Sequence, residues 1–124
     1  MGPWPDASQP HGDDGMPREE LEKRLAELRE GFRDELPQRL DDISTAWRVL
    51  QESGWNDDNA ETLERLAHSL AGAGATFGLA SISEAARALE LAVEALRTGE
   101  APSDDELVPI ADFLVALSSA IQQA

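Results

Sequence analysis

The sequence predicts an all-α fold: an antiparallel four-helix bundle with an additional N-terminal helix. Three observations carry that prediction. Aromatics are only 5% of the 124 residues and Tyr is absent, while Leu, Ala and Glu are frequent, a composition that favours helix over strand. From residue 18 onward, apolar residues recur at steps of three and four, the period of a one-sided helix. Start and stop signals cut this pattern at short intervals, which folds each helix back on its predecessor. The length allows one domain with a single core.

Residues 1–17 stand apart. Four of the seven prolines (Pro3, Pro5, Pro10, Pro17) lie there with Asp6, Asp13 and Asp14, and no periodicity, so a flexible tail is expected. Trp4 and His11 fall in it and read as solvated residues. The bundle domain then covers 18–124. Its first stripe runs Leu21, Leu25, Leu28, Phe32, Leu36, Leu40, Ile43, Trp47, Leu50, with Glu19–Lys23 and Glu20–Arg24 as i,i+4 pairs opposite. Pro37 should end one helix near Leu36 and open a second in its own first turn; a kinked single helix is the alternative. Ser53-Gly54 ends the segment.

A third helix is expected near Asp58, where Asp58-x-x-Glu61 resembles a capping box. Its core stripe is Leu63, Leu66, Ala67, Leu70 and Phe77, with Gly74 permitting a close helix contact and Gly78 as a left-handed C-cap. Ser81-x-x-Glu84 should cap a fourth helix carrying Ile82, Ala85, Ala86, Leu89, Val93 and Leu96, stopped by Thr98-Gly99. Ser103-x-x-Glu106 should cap a fifth, with Leu107, Ile110, Ala111, Leu114, Leu117 and Ile121. Pro109 lies deep for that cap, so this helix either kinks or begins near Leu107.

Charge and composition exclude several functions. A net charge of −15 is the wrong sign for a phosphate backbone or an anionic membrane surface. No apolar run approaches a membrane span and the N-terminus lacks a signal-peptide pattern, so a cytoplasmic protein is expected. Without Cys there is no thiolate metal site and no cysteine nucleophile. Di-iron bundles need Glu-x-x-His pairs, whereas Glu64 precedes His68 by four positions. Gly72-Ala73-Gly74 lacks the Gly-Lys-Ser/Thr ending of a phosphate loop. Asp104-Asp105-Glu106 suits a helix N-terminus.

His68 is the remaining candidate. On a helical wheel with Leu63 at zero, the expected core residues fall within about 60° and His68 at about 140°, facing solvent. Glu64 and Arg65 flank it on the N-terminal side, with Ala71, Gly72 and Ala75 on the C-terminal side. A mid-helix Gly costs roughly 1 kcal/mol against Ala, so Gly72 on an exposed face asks for a reason. Bare backbone beside an exposed imidazole admits a second protein's active site. An isolated exposed His is more simply solvated, and spacing alone does not choose between the two.

Ala67-His68-Ser69-Leu70-Ala71-Gly72 followed by Gly78 resembles the signature of histidine-containing phosphotransfer (HPt) domains, His-x-Leu-Lys-Gly with a second Gly ten residues after the His. The run Phe32 to Leu40 and Ala88-Leu89-Glu90 are also similar, and the resemblance covers about residues 25–121. It implies a phosphorelay carrier built as a four-helix bundle with an added N-terminal helix. His68 would be the phosphoacceptor, taking a phosphoryl group from the aspartyl phosphate of a response-regulator receiver domain and passing it to another. Glu64, Arg65, Ser69, Ala71, Gly72, Ala75 and Thr76 would form the docking and phosphoryl environment, and Gly78 the structural motif. Neutral imidazole is the reactive form, with Glu64 orienting the ring. The partners would be receiver domains and a hybrid or sensor histidine kinase, with no nucleic acid and no membrane, and the domain itself monomeric. No cofactor or metal of its own is implied, since the receiver supplies Mg²⁺, and the chain has no ATP-binding or autokinase part. Ala71 departs from the pattern, because many members carry Lys there, and Arg65 is a candidate substitute. The alternative is a non-phosphorylated HPt-like adaptor that binds receivers or other signalling proteins. The fifth helix is expected to reach Ala124 without a polar tail, as in a domain cut from a longer regulator, though a freestanding protein can end the same way.

Overall fold

Four helices account for nearly all of residues 17–124, the part of the chain that the computed structural model describes: α1 (Arg18–Ser53), α2 (Asp57–Thr76), α3 (Ala80–Arg97) and α4 (Asp104–Gln122). No strand occurs among the described residues. Trp4, His11 and nearly all of the segment read as a tail lie outside them. The short connections at 54–56, 77–79 and 98–103 make consecutive helices antiparallel neighbours. Contact is most extensive between α2 and α3, then α3 and α4, then α1 and α2; α1 touches α4 only slightly. No helix among the described residues is long and apolar enough to cross a membrane.

Residues 18–36 and 37–53 form one continuous helix, so the single-helix alternative at Pro37 is the one observed. Pro37 and Arg33 are both exposed, so the carbonyl that loses its donor lies on the solvent side of α1. The continuous apolar stripe is covered only in part. Leu21, Leu25 and Leu28 are 48%, 44% and 57% exposed, and burial begins at Phe32. The cause is length: the 36-residue α1 spans about 54 Å, against about 27–30 Å for α2 to α4, and its excess projects past the bundle. Arg24 meets Glu20 at 3.7 Å there, while Arg18 pairs with Glu22 at 3.4 Å.

Two caps differ from expectation. The N-cap of α2 is Asn56, whose Oδ1 accepts from the Asn59 backbone N–H at 2.9 Å, not Asp58 with Glu61. The α3 N-cap is Leu79, without a side-chain bond, and the Ser81–Glu84 box is not formed. The turn before α3 is made by backbone instead: Gly78 has φ 74° and the Leu79 N–H donates to the Gly74 carbonyl at 2.8 Å. That closure starts the helix early and leaves Ser81 inside its first turn. In α4 the Ser103–Glu106 capping box forms, and the helix runs from Asp104 through Pro109.

Small residues set the α2–α3 seam. The buried residues of α2 are Ala60, Leu63, Ala67, Leu70, Ala71 and Gly74, while Leu66 and Phe77 are only partly covered. On the wheel this buried arc is centred about 30° from Leu63 on the side of the alanines, because a face without long side chains admits α3 most closely. A Cβ on Gly74 would lie 3.1 Å from the Ser83 nitrogen and 3.3 Å from its Cα. Phe32 and Phe77 stack at 4.9 Å between centroids and fix α1 against the end of α2.

Candidate functional site

His68 lies midway along α2 with 68% of its side chain exposed. The rotation of the buried arc explains its surroundings. His68 stands on the shoulder of α2 beside α3 rather than on the outermost ridge, and its Nδ1 meets Glu90 Oε2 of α3. A carboxylate only accepts hydrogen bonds, so the neutral ring carries its proton on Nδ1. Nε2 is then left without a proton, its lone pair available.

Glu90 enters the sequence analysis only within the run Ala88-Leu89-Glu90, and its place beside the imidazole was not anticipated there. It is 8% exposed, the one buried charged residue among those described. The signal was present: Glu90 follows Ala86 by four and precedes Val93 by three, inside the apolar stripe of α3. Its other oxygen, Oε1, is buried without a hydrogen-bond partner, and Arg87 Nη1 stands 3.9 Å from it.

Glu64 does not orient the ring. Its Oε1 takes a hydrogen bond from Arg97 Nη1 at 3.2 Å, and Arg97 also reaches Asp57 at 2.9 Å and Glu61 at 3.9 Å. The hydrogen bond from Arg97 holds the Asp57 carboxyl below its ordinary range. The same bond, with a second to Glu64, holds the guanidinium above its own. These contacts tie the start of α2 to the end of α3. Asp57, Asp58 and Glu61 also have carboxylate spacing suited to a metal, but all are exposed and two are already engaged by Arg97.

Ala71 corrects the expected docking face. It is 5% exposed, in the α2–α3 seam, and its carbonyl accepts from Ser83 Oγ at 2.8 Å. A wheel centred on the large apolar residues puts Ala71 towards the open side, whereas the small residues make the closest contact. Arg65, Ser69, Gly72, Ala75 and Thr76 are exposed as expected. A Cβ at Gly72 would meet nothing within 4 Å, and Thr76 Oγ1 turns inward to the Gly72 carbonyl at 3.0 Å. From α1, Arg39 approaches Ser69 Oγ at 3.5 Å while lying over the Phe32 ring at 5.2 Å. Gly78 takes the left-handed conformation its position implied.

The result is an open face with one oriented imidazole, approachable over bare backbone. A groove of about 580 Å³ between the end of α1 and the start of α4, lined by Trp47, Trp55, Leu107 and Val108, does not include His68. Over residues 18–124 the chain matches the family model of the Hpt domain. Comparison with curated proteins and with solved structures returned no match.

Proposed function

The chain belongs to the Hpt domain family, a phosphocarrier module of two-component signalling, and from that premise we propose that His68 is its phosphoacceptor. One observation carries the reading: an exposed imidazole whose Nδ1 is held by buried Glu90, leaving Nε2 open to a partner. The Nε2 lone pair attacks the phosphorus of an aspartyl phosphate in line. The N–P bond forms as the acyl O–P bond breaks, and the electron pair departs onto the receiver's carboxylate. The Nδ1 proton stays in place, and Glu90 faces the positive charge that develops on the ring. Transfer to a second receiver is the same step reversed.

The partner supplies Mg²⁺ and a basic residue at the phosphoryl group, so the carrier contributes position and access. Gly72, Ala75 and Thr76 give the C-terminal half of the docking face, Arg65 and Ser69 its flanks. Ala71 contributes through the seam, not by contact. Receivers and kinase cores are cytoplasmic, and the domain would act there as a monomer.

The test is incubation with a phosphorylated receiver domain. The expected product is an acid-labile, base-stable phosphate on the parent and none on His68→Gln, with helicity retained. Residual phosphate on that variant assigns the acceptor elsewhere. Receiver binding without transfer makes the chain an adaptor, a reading that the absence of Lys at Ala71 favours.

A further inference from the structure

We propose that Arg87 is a positioning residue for His68, acting through Glu90. The inference rests on His68 being the reacting group, and it concerns what holds that group in register.

Glu90 is fixed from one side only. Oε2 is occupied by the imidazole, while Oε1 is buried and accepts no hydrogen bond among the described residues. A carboxylate held at one oxygen can turn about its last carbon–carbon bond, and the ring it holds turns with it. A cation on the second oxygen removes that freedom. Arg87 is placed to be that cation: it lies three residues before Glu90 on α3, with Nη1 3.9 Å from Oε1. Its side chain is 63% exposed, so the guanidinium stands between the buried carboxylate and solvent.

The other nearby cations are committed elsewhere. Arg97 is engaged by Asp57, Glu61 and Glu64, and Arg39 by Glu35 at 3.9 Å and the Phe32 face. Arg65 sits on the far side of His68 from α3, about 60° further around the helix. Ala71 faces α3 one turn beyond His68 and brings no charge. Among the described residues, Arg87 is the cation that meets Glu90.

The test reads the ring itself as well as the reaction. Long-range ¹H–¹⁵N correlation spectra of the full chain report which His68 nitrogen is protonated, and a phosphorylated receiver domain reports the transfer rate. In Arg87→Ala, the Nδ1–H form should lose its dominance and transfer should slow about two- to five-fold, the range a half-exposed ion pair supports. Arg87→Lys should restore both, with helicity unchanged throughout. An unchanged tautomer in Arg87→Ala overturns the proposal, and a slower transfer with that unchanged tautomer assigns Arg87 to docking instead. Failure of the phosphoacceptor reading is separate: His68→Gln would still be phosphorylated, while the tautomer shift in Arg87→Ala would remain.

Discussion

Gly72 and Gly74 share a helix, lie two residues apart, and should respond oppositely to one methyl group. At Gly72 the added Cβ meets nothing within 4 Å. Gly72→Ala should therefore gain the helix-propensity difference alone, about 1 kcal/mol, or roughly 4 °C in Tm for a domain of this size. At Gly74 the same gain is opposed. The new Cβ would stand 3.1 Å from the Ser83 nitrogen and 3.3 Å from its Cα, backbone atoms that move only with the first turn of α3. That turn is held by Ser83 Oγ on the Ala71 carbonyl at 2.8 Å and by the Leu79 N–H on the Gly74 carbonyl at 2.8 Å. Overpacking of this kind costs about 1–3 kcal/mol, so Gly74→Ala should lose up to about 2 kcal/mol net. Urea unfolding followed by circular dichroism at 222 nm, with both variants beside the parent, measures the difference. Equal stabilisation by the two substitutions would refute the close α2–α3 approach, and destabilisation by Gly72→Ala would refute the open face beside His68.

Gly72→Glu should block transfer from a phosphorylated receiver while leaving the unfolding midpoint unchanged or raised, because the longer side chain obstructs docking but meets nothing in the fold. Glu90→Met should slow transfer by at least about tenfold, measured by rapid quench, yet hold or raise Tm, since it removes a buried carboxylate whose partner His68 is free to meet water. Asp57 has its pKa depressed in the fold, so its contribution is present above the ordinary Asp value of 3.8 and fades as pH falls through the lower folded value. The stability gap between parent and Asp57→Asn, read from urea midpoints, should be widest near neutral pH and close below that range; a gap that widens on acidification contradicts the pairing with Arg97.

Helices were the legible part of the fold because their signal is distributed. The spacing from Leu63 to Leu70, or from Ile82 to Val93, survives any single exception. Boundaries were less legible because they turn on one or two residues. Asn56 outcompeted Asp58 as a cap, and a backbone turn at Gly78 displaced Ser81. Pro37 was ambiguous for a definite reason: its cost depends on whether the orphaned carbonyl of Arg33 meets water, a tertiary fact. The exposure of Leu21, Leu25 and Leu28 was illegible, since an apolar stripe carries no record of whether its partner helices are long enough to cover it. At the candidate site, the exposure of His68 and Gly72 was legible on the wheel, whereas the contact of Glu90 with the imidazole was not. A stripe reading collects apolar positions, and a lone carboxylate within one reads as an interruption until the facing helix shows an imidazole opposite.

Small residues serve two opposed purposes on α2, and the wheel separates them. Ala60, Ala67, Ala71 and Gly74 share the buried arc, and at Ala71 and Gly74, which meet Ser83 of α3, the lack of side chain brings the two backbones together. Gly72 and Ala75 face away from the seam, where the same lack keeps the approach to His68 clear. His68 occupies the boundary between these faces, and that position answers a conflict in the chemistry. The phosphoacceptor role proposed for His68 would need a nitrogen exposed to two successive partners, yet a freely solvated imidazole has neither a fixed tautomer nor a fixed direction. On the shoulder one edge of the ring reaches a carboxylate anchored in the seam while the other stays in water. The separation of α2 and α3 then governs the reach of Glu90 to Nδ1, and Gly74 governs that separation. A methyl group at residue 74, without touching the imidazole, would therefore loosen its orientation. Stability of the seam and orientation of the imidazole are set by the same contact.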